Sequence, residues 1–268
     1  MKKHISMILS VILALSLAVS MTSCDEDKSS SNNKDKEEGA TLNGKTPEEA
    51  YNEALEAINS VDNFEMTSVQ DIEMVMKYNG ETINQDQNQT VIQRKNGDNG
   101  YAKVYGSTME VETWYVDGVL YTISGDVKAK ATLSLEEYAE QMMGESSDNL
   151  LNIPDSWFEG VEFKTDEDMK TLEFHIDGDE YMTMIGNLLD SMNLSADDVE
   201  ISEVVYTVYF DEDGSIEKVI NDFSMSFTMQ GVEVAADYHT VTTVSIGTAS
   251  AITVPAGGDS FIDVTDQM

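Results

Sequence analysis

The chain holds one cysteine, Cys24, among 268 residues, and only 15 basic residues against 51 acidic ones. A lone thiol leaves no partner for an internal disulfide and no second thiolate for a metal site. The shortage of lysine and arginine gives a formal charge of −36 at neutral pH. Such a field repels phosphate backbones and anionic headgroups, so nucleic acid is excluded as a partner. Histidine is as scarce, with three in the chain. His175 lies between Phe174 and Ile176, and His239 lies two residues after Asp237. The two-residue period of a strand puts both on polar faces, as surface groups rather than ligands or bases. No HExxH, CxxC or GxSxG occurs, and Gly258-Asp259-Ser260 has no histidine after it. Aligning Gly214 of Asp211-Glu212-Asp213-Gly214 with the glycine of an EF-hand loop puts Tyr209 first and Ile220 last. Neither can ligate calcium, so that segment reads as a hairpin turn. No catalytic residue, cofactor or metal is expected, and an enzyme is the least supported class.

Only one long apolar run exists, Ile5 to Val19, preceded by Lys2 and Lys3. This is the layout of a secretory signal peptide, and it is short for a spanning helix, which needs about 20 apolar residues. Met21-Thr22-Ser23-Cys24 follows and resembles a lipobox, with Met21 where leucine is usual. The resemblance implies that residues 1–23 are removed and that Cys24 receives a diacylglyceryl group as the new N-terminus. An uncleaved anchor, or an ordinary signal peptide with a chance cysteine, would also fit the apolar run. Neither accounts for the one cysteine standing where acylation requires it. Each buried methylene contributes about 0.8 kcal/mol, so two or three acyl chains hold a domain firmly on a membrane. Without residues 1–23 the chain keeps 13 basic and 51 acidic residues, a charge of −38. Residues 24–45 are polar and charged, too poor in apolar groups to fold, and read as a flexible tether.

Residues 46–268 form one domain. Thr46-Pro47-Glu48-Glu49 supplies an N-cap, a proline at the first helical position and a capping-box glutamate. Tyr51, Ala54, Leu55, Ile58 and Val61 then recur at helical spacing. After Asn63 the period becomes two, with Phe64, Met66, Ile72, Met74 and Met76 on one side. Asn79-Gly80 and Asp117-Gly118 are tight-turn signals between strands. A second capping box at Ser134-Leu135-Glu136-Glu137 predicts a second helix, and Glu180 to about Met192 a third. The last third alternates as strands through Val204–Phe210, Phe223–Met229 and Val232–Tyr238. The expected fold is α+β: a strongly curved antiparallel sheet of about eight to ten strands, an incomplete barrel, with about three helices over its concave face.

The polar tether, the amphipathic helix AYNEALEAINSVDNFEM running into a long strand, the aromatic pair TWYVDGVLYT and the late hairpin VYFDEDGSIEKVINDFSMSF together resemble a known family. They look like uncharacterised lipoproteins of Gram-positive bacteria related in architecture to the LolA and LppX carriers. That resemblance implies a half-barrel with helices over its mouth, a lipid or lipoprotein cargo, and no catalytic residue. Fold carries over more safely than function, because one fold hosts many functions.

Methionine is the one abundant chemical signal, with 13 of 16 after Cys24. Its flexible, polarisable side chain suits surfaces that adapt to varied apolar partners. Met74, Met76, Met182, Ile185, Met225, Phe227 and Met229, with Trp114 and Tyr121, are the candidate lining of a lipid cavity; a Met-rich core is the plainer reading of each. The expected function is that of a noncatalytic lipoprotein on the outer face of the cytoplasmic membrane, holding a lipid or other apolar ligand. The alternative is an envelope protein with a filled core and an acidic exterior that meets a protein partner.

Overall fold

A computed structural model describes residues 41–107, 110–135, 137–138, 153–183, 198–229 and 231–265. The expected signal peptide, Cys24 and nearly all of the expected tether lie outside the described residues, as does Ile185. One long helix, α1 (Pro47–Ser60), opens the described chain, and Thr46 and Glu49 form the capping box its sequence announces. Thirteen strands follow. They are β1 (Asn63–Tyr78), β2 (Glu81–Asn96), β3 (Asn99–Gly106), β4 (Glu110–Val116), β5 (Val119–Ser124), β6 (Val127–Thr132) and β7 (Lys164–Asp166). The series continues with β8 (Met169–Ile176), β9 (Val199–Ile201), β10 (Val204–Phe210), β11 (Ile216–Met229), β12 (Val232–Ile246) and β13 (Ile262–Asp263).

All thirteen belong to one sheet in the order β13-β6-β5-β4-β3-β2-β1-β12-β11-β10-β8-β7, with β9 added to the far half of β11. Every pairing is antiparallel except β13 with β6. The sheet curves without closing. The expectation of an α+β fold with eight to ten strands and three helices is therefore corrected: the fold is mostly β, with one long helix among the described residues. Residues 178–183 and positions 135, 137 and 138 are helical, and the remainder of those two expected helices lies outside the described residues. The strand count rose because β7, β9 and β13 are two or three residues long, too short to show a period in sequence.

The turns are those that strand twist selects. Asn79-Gly80 and Asp117-Gly118 both have positive φ at both positions, which matches the right-handed twist of the flanking strands. Glu167-Asp168 does the same between β7 and β8, at 49° and 66°, without a glycine. The turn at Asp211 is closed by Gly214 donating to the Asp211 carbonyl and Ser215 donating to its side chain. A bulge between Tyr209 and Phe210 adjoins it.

The main core forms where α1 lies on the sheet. Tyr51, Ala54, Leu55 and Ile58 of the helix join Ile72, Met74 and Met76 of β1, Phe174 of β8, Phe223–Phe227 alternates of β11 and Val232–Tyr238 alternates of β12. Tyr51, Phe158 and Phe174 form an aromatic knot, with centroid distances of 5.7, 6.2 and 5.2 Å. A smaller core of Tyr115, Leu120, Ala131 and Leu133 lies on the same face of the β3–β6 wing, where Tyr138 stacks on Tyr115 at 4.2 Å. The segment after β12 crosses the other face of that wing, putting Phe261 edge-on to Tyr121 at 5.5 Å before it ends in β13.

Candidate functional site

Cross-strand partners share a face, so register alone sorts the side chains. On the inner face, the one α1 packs against, successive rows cross the four central strands β2, β1, β12 and β11. Toward the Asn79-Gly80 turn one row is Ile83, Met76, Val234 and Phe227. Met74, Ala236 and Met225 form the next, with Gln85, and Ile72, Tyr238 and Phe223 the third, with Gln87. Met74, Met76, Met225, Phe227 and Met229 thus lie together in one apolar band, and Met182 packs against the same core.

Trp114 and Tyr121 do not belong to that band. Arg94, Tyr101, Trp114 and Tyr121 are successive cross-strand partners from β2 to β5, and Arg94 pairs with Glu65, which faces away from Met66 and Met74. These aromatics therefore lie on the outer face. Trp114 packs on Tyr101 at 5.6 Å, and the Arg94 guanidinium stands 5.1 Å from the Tyr101 ring while ion-paired with Glu65. With Ser250–Thr253 they line a cleft of about 270 Å³. Burial beside Glu112 raises the Tyr101 hydroxyl above its usual range. The nine candidate lining residues fall on two faces of the sheet, apart from Ile185.

A second arrangement runs across the inner face just beyond the methionines. Gln89 of β2, Gln70 of β1, Thr240 of β12 and Asn221 of β11 are aligned as one transverse row of polar groups. Gln87 and Tyr238 flank it on the methionine side, and Ser68 and Thr242 on the other. The exposures of Gln70, Gln87, Gln89, Asn221, Tyr238 and Thr240 are 3, 5, 5, 4, 3 and 2%. Gln70 Nε2 donates to Thr240 Oγ1 at 3.2 Å, and Ser68 and Thr242 hydroxyls meet at 2.8 Å. Gln70 Oε1, Gln87 Nε2, Gln89 Nε2 and the Tyr238 hydroxyl have no hydrogen-bond partner among the described residues. Each buried polar group left so costs about 1–3 kcal/mol. Burial pushes the Tyr238 phenol well up from its ordinary value. Sequence reading passed over this belt, because β2 looks like a polar surface strand. The signal was present in Gln85, Gln87, Gln89 and Gln93, which keep to one face of β2 at the strand period.

The histidines are on the outer face. His175 is 52% exposed and contacts Glu173 at 3.1 Å and Glu203 at 3.3 Å. His239 Nδ1 lies 2.6 Å from Asp222. The hydrogen bonds to Glu173 and then Glu203 raise the His175 pKa above its ordinary value. Among the described residues no three His, Cys, Asp or Glu converge to hold a metal, and no helix is long and apolar enough to cross a membrane.

No family model matches the chain, and no curated protein matches it. Among solved structures it is similar to a DUF1329 family protein from Desulfovibrio piger, at 9% identity and a TM-score of 0.21, over 75% of this chain and 93% of that one. A putative outer membrane lipoprotein-sorting protein domain from Vibrio parahaemolyticus is 12% identical, with a TM-score of 0.22, over 76% and 93%. The attachment invasion locus protein of Yersinia pestis is 7% identical, with a TM-score of 0.20, over 69% and 100%. Likenesses of this size assign neither a family nor an activity.

Proposed function

We propose that the protein is a noncatalytic lipoprotein of a Gram-positive cell, held by acyl chains on Cys24 at the outer face of the cytoplasmic membrane. Its half-barrel carries a lipid or other apolar ligand against the inner face. The observation that supports this is the band of Met74, Met76, Met225, Phe227 and Met229 on one face of a sheet that curves without closing. Unbranched thioether side chains change rotamer at low cost, so such a band can part around a hydrocarbon chain and close when it leaves. The helical residues 178–183 bring Met182 against this core, and in this reading they gate entry.

The test is native mass spectrometry of the full chain isolated from membranes, before and after organic extraction. A stoichiometric adduct beyond the covalent lipid, lost on extraction and absent from a folded Met182→Lys variant, is the expected result. A second reading has its own observation: Met74, Met76 and Met225 are 1, 1 and 2% exposed, as in a filled core. A chain that never takes up lipid supports that reading, in which the acidic exterior meets an envelope protein.

A further inference from the structure

The inner face has two chemistries, and the carrier reading accounts for only one of them. Hydrocarbon needs the methionine end. It has no use for three glutamines, an asparagine and a tyrosine buried in the adjoining rows. The belt is placed by register rather than by chance exposure, since Gln89, Gln70, Thr240 and Asn221 are direct neighbours across four strands. Part of it is internally bonded, through Gln70 and Thr240 and through Ser68 and Thr242. The remainder presents both kinds of group among the described residues: acceptors on Gln70 and Asn221, amide donors on Gln87 and Gln89, and the Tyr238 hydroxyl.

The belt is also uncharged. Inner-facing positions from Met66 to Met76, Ile83 to Val91, Val219 to Met229 and Val232 to Thr240 hold no Asp, Glu, Lys, Arg or His. All the carboxylates of these stretches, including Asp71, Glu73, Asp222 and Asp237, are on the opposite face. A phosphate or carboxylate drawn into the belt would be a buried charge without a counterion, which is strongly unfavourable. An ester, amide or hydroxyl group would instead satisfy donors and acceptors that have no partner among the described residues.

We infer that the belt formed by Gln70, Gln87, Gln89 and Tyr238 is a subsite for the uncharged polar group of a neutral amphiphile, whose hydrocarbon lies along the adjoining methionine band. This deepens the carrier reading and rests on it. The ligand class it selects is a lipid joined through esters, amides or hydroxyls, not one with a phosphate headgroup. The subsite is specific because its groups are neutral and fixed by strand register, whereas the methionine band adapts to chain length.

The experiment presents the full chain, in mild detergent, with equimolar dioleoylglycerol and dioleoylphosphatidylglycerol, and reads bound lipid by native mass spectrometry. The expected result is at least a tenfold preference for dioleoylglycerol. That preference falls to about parity in Gln70→Met/Gln89→Met, which keeps side-chain volume and removes the amides. A melting curve accompanies each variant; should the pair fail to fold, Gln87→Met alone supplies the readout. Uptake of both lipids equally by the parent chain overturns the subsite and leaves the carrier. An unchanged preference in folded methionine variants does the same, returning the belt to the fold with ordered water on its amides. Failure of the parent chain to take up either lipid sinks the carrier reading itself, and the subsite with it.

Discussion

Phe174→Ala tests whether the aromatic knot is what fixes the helix to the sheet. Phe174 is 1% exposed and touches rings from three separate elements: Tyr51 of α1, Phe158 of the 3-10 turn at Asp155–Phe158, and Tyr206 of β10. Truncating a buried phenylalanine to alanine costs about 3–5 kcal/mol, and less where neighbours collapse into the space. Collapse is restricted here, because β8 and β10 are held in register from Val204 to Phe210. Tyr51 is itself fully buried, and that burial pushes its phenol far up. Moving it to fill the gap would disturb its ring contact with Phe158. The expected loss is therefore near 4 kcal/mol by the same scale, a large share of the roughly 5–15 kcal/mol that holds a typical domain. Urea unfolding followed by tryptophan fluorescence measures it, with an unchanged slope showing that the unfolded state is unaltered. A loss below about 1.5 kcal/mol would refute the reasoning, since it would mean the knot relaxes freely.

Three other outcomes are expected. Gly178→Ala drives a Cβ into the Ile201 carbonyl oxygen, so β9 must shift; the urea midpoint should drop by the equivalent of about 1–3 kcal/mol, and exchange at the β9 amides should quicken. Unchanged exchange there would count against the close approach. The raised pKa of His175 gives a contribution that is whole below the unfolded value near 6.5 and disappears as pH rises through the folded one. Glu173, lowered first by Lys164 and then by His175, contributes in the opposite sense and loses its share as pH falls. His175→Gln should thus narrow the stability difference between pH 5.5 and 8.5, by less than about 1 kcal/mol because the pair is half exposed; an effect that grows with pH would reverse the assignment. Finally, Cys24→Ser should move the chain from the membrane fraction, or leave it unprocessed, and unchanged acyl labelling would remove the anchor.

Much of the fold was legible because strand alternation is a local signal. Met66, Ile72, Met74 and Met76 face inward as their spacing requires, and the Asn79-Gly80 and Asp117-Gly118 turns come where the residues announce them. The helix cap at Thr46 is equally local. What failed was everything that needed knowledge of the neighbour. Trp114 and Tyr121, grouped with the methionines as candidate cavity lining, stand on the other face. Their true face follows from the register of β2 through β5, which no single strand contains. The Glu167-Asp168 turn escaped because neither residue is the glycine usually required at positive φ. Gln87 and Gln89 are buried only by the pairing of β2 with β1, although polar residues are mostly exposed.

The two central strands come from opposite ends of the domain: β1 lies beside β12, with Phe64 opposite Ile246. The middle of the sheet cannot assemble until almost the whole domain is present, and contacts so distant in sequence make folding slow. The last long strand to be synthesised, β12, is also the one that brings the two halves of the sheet together.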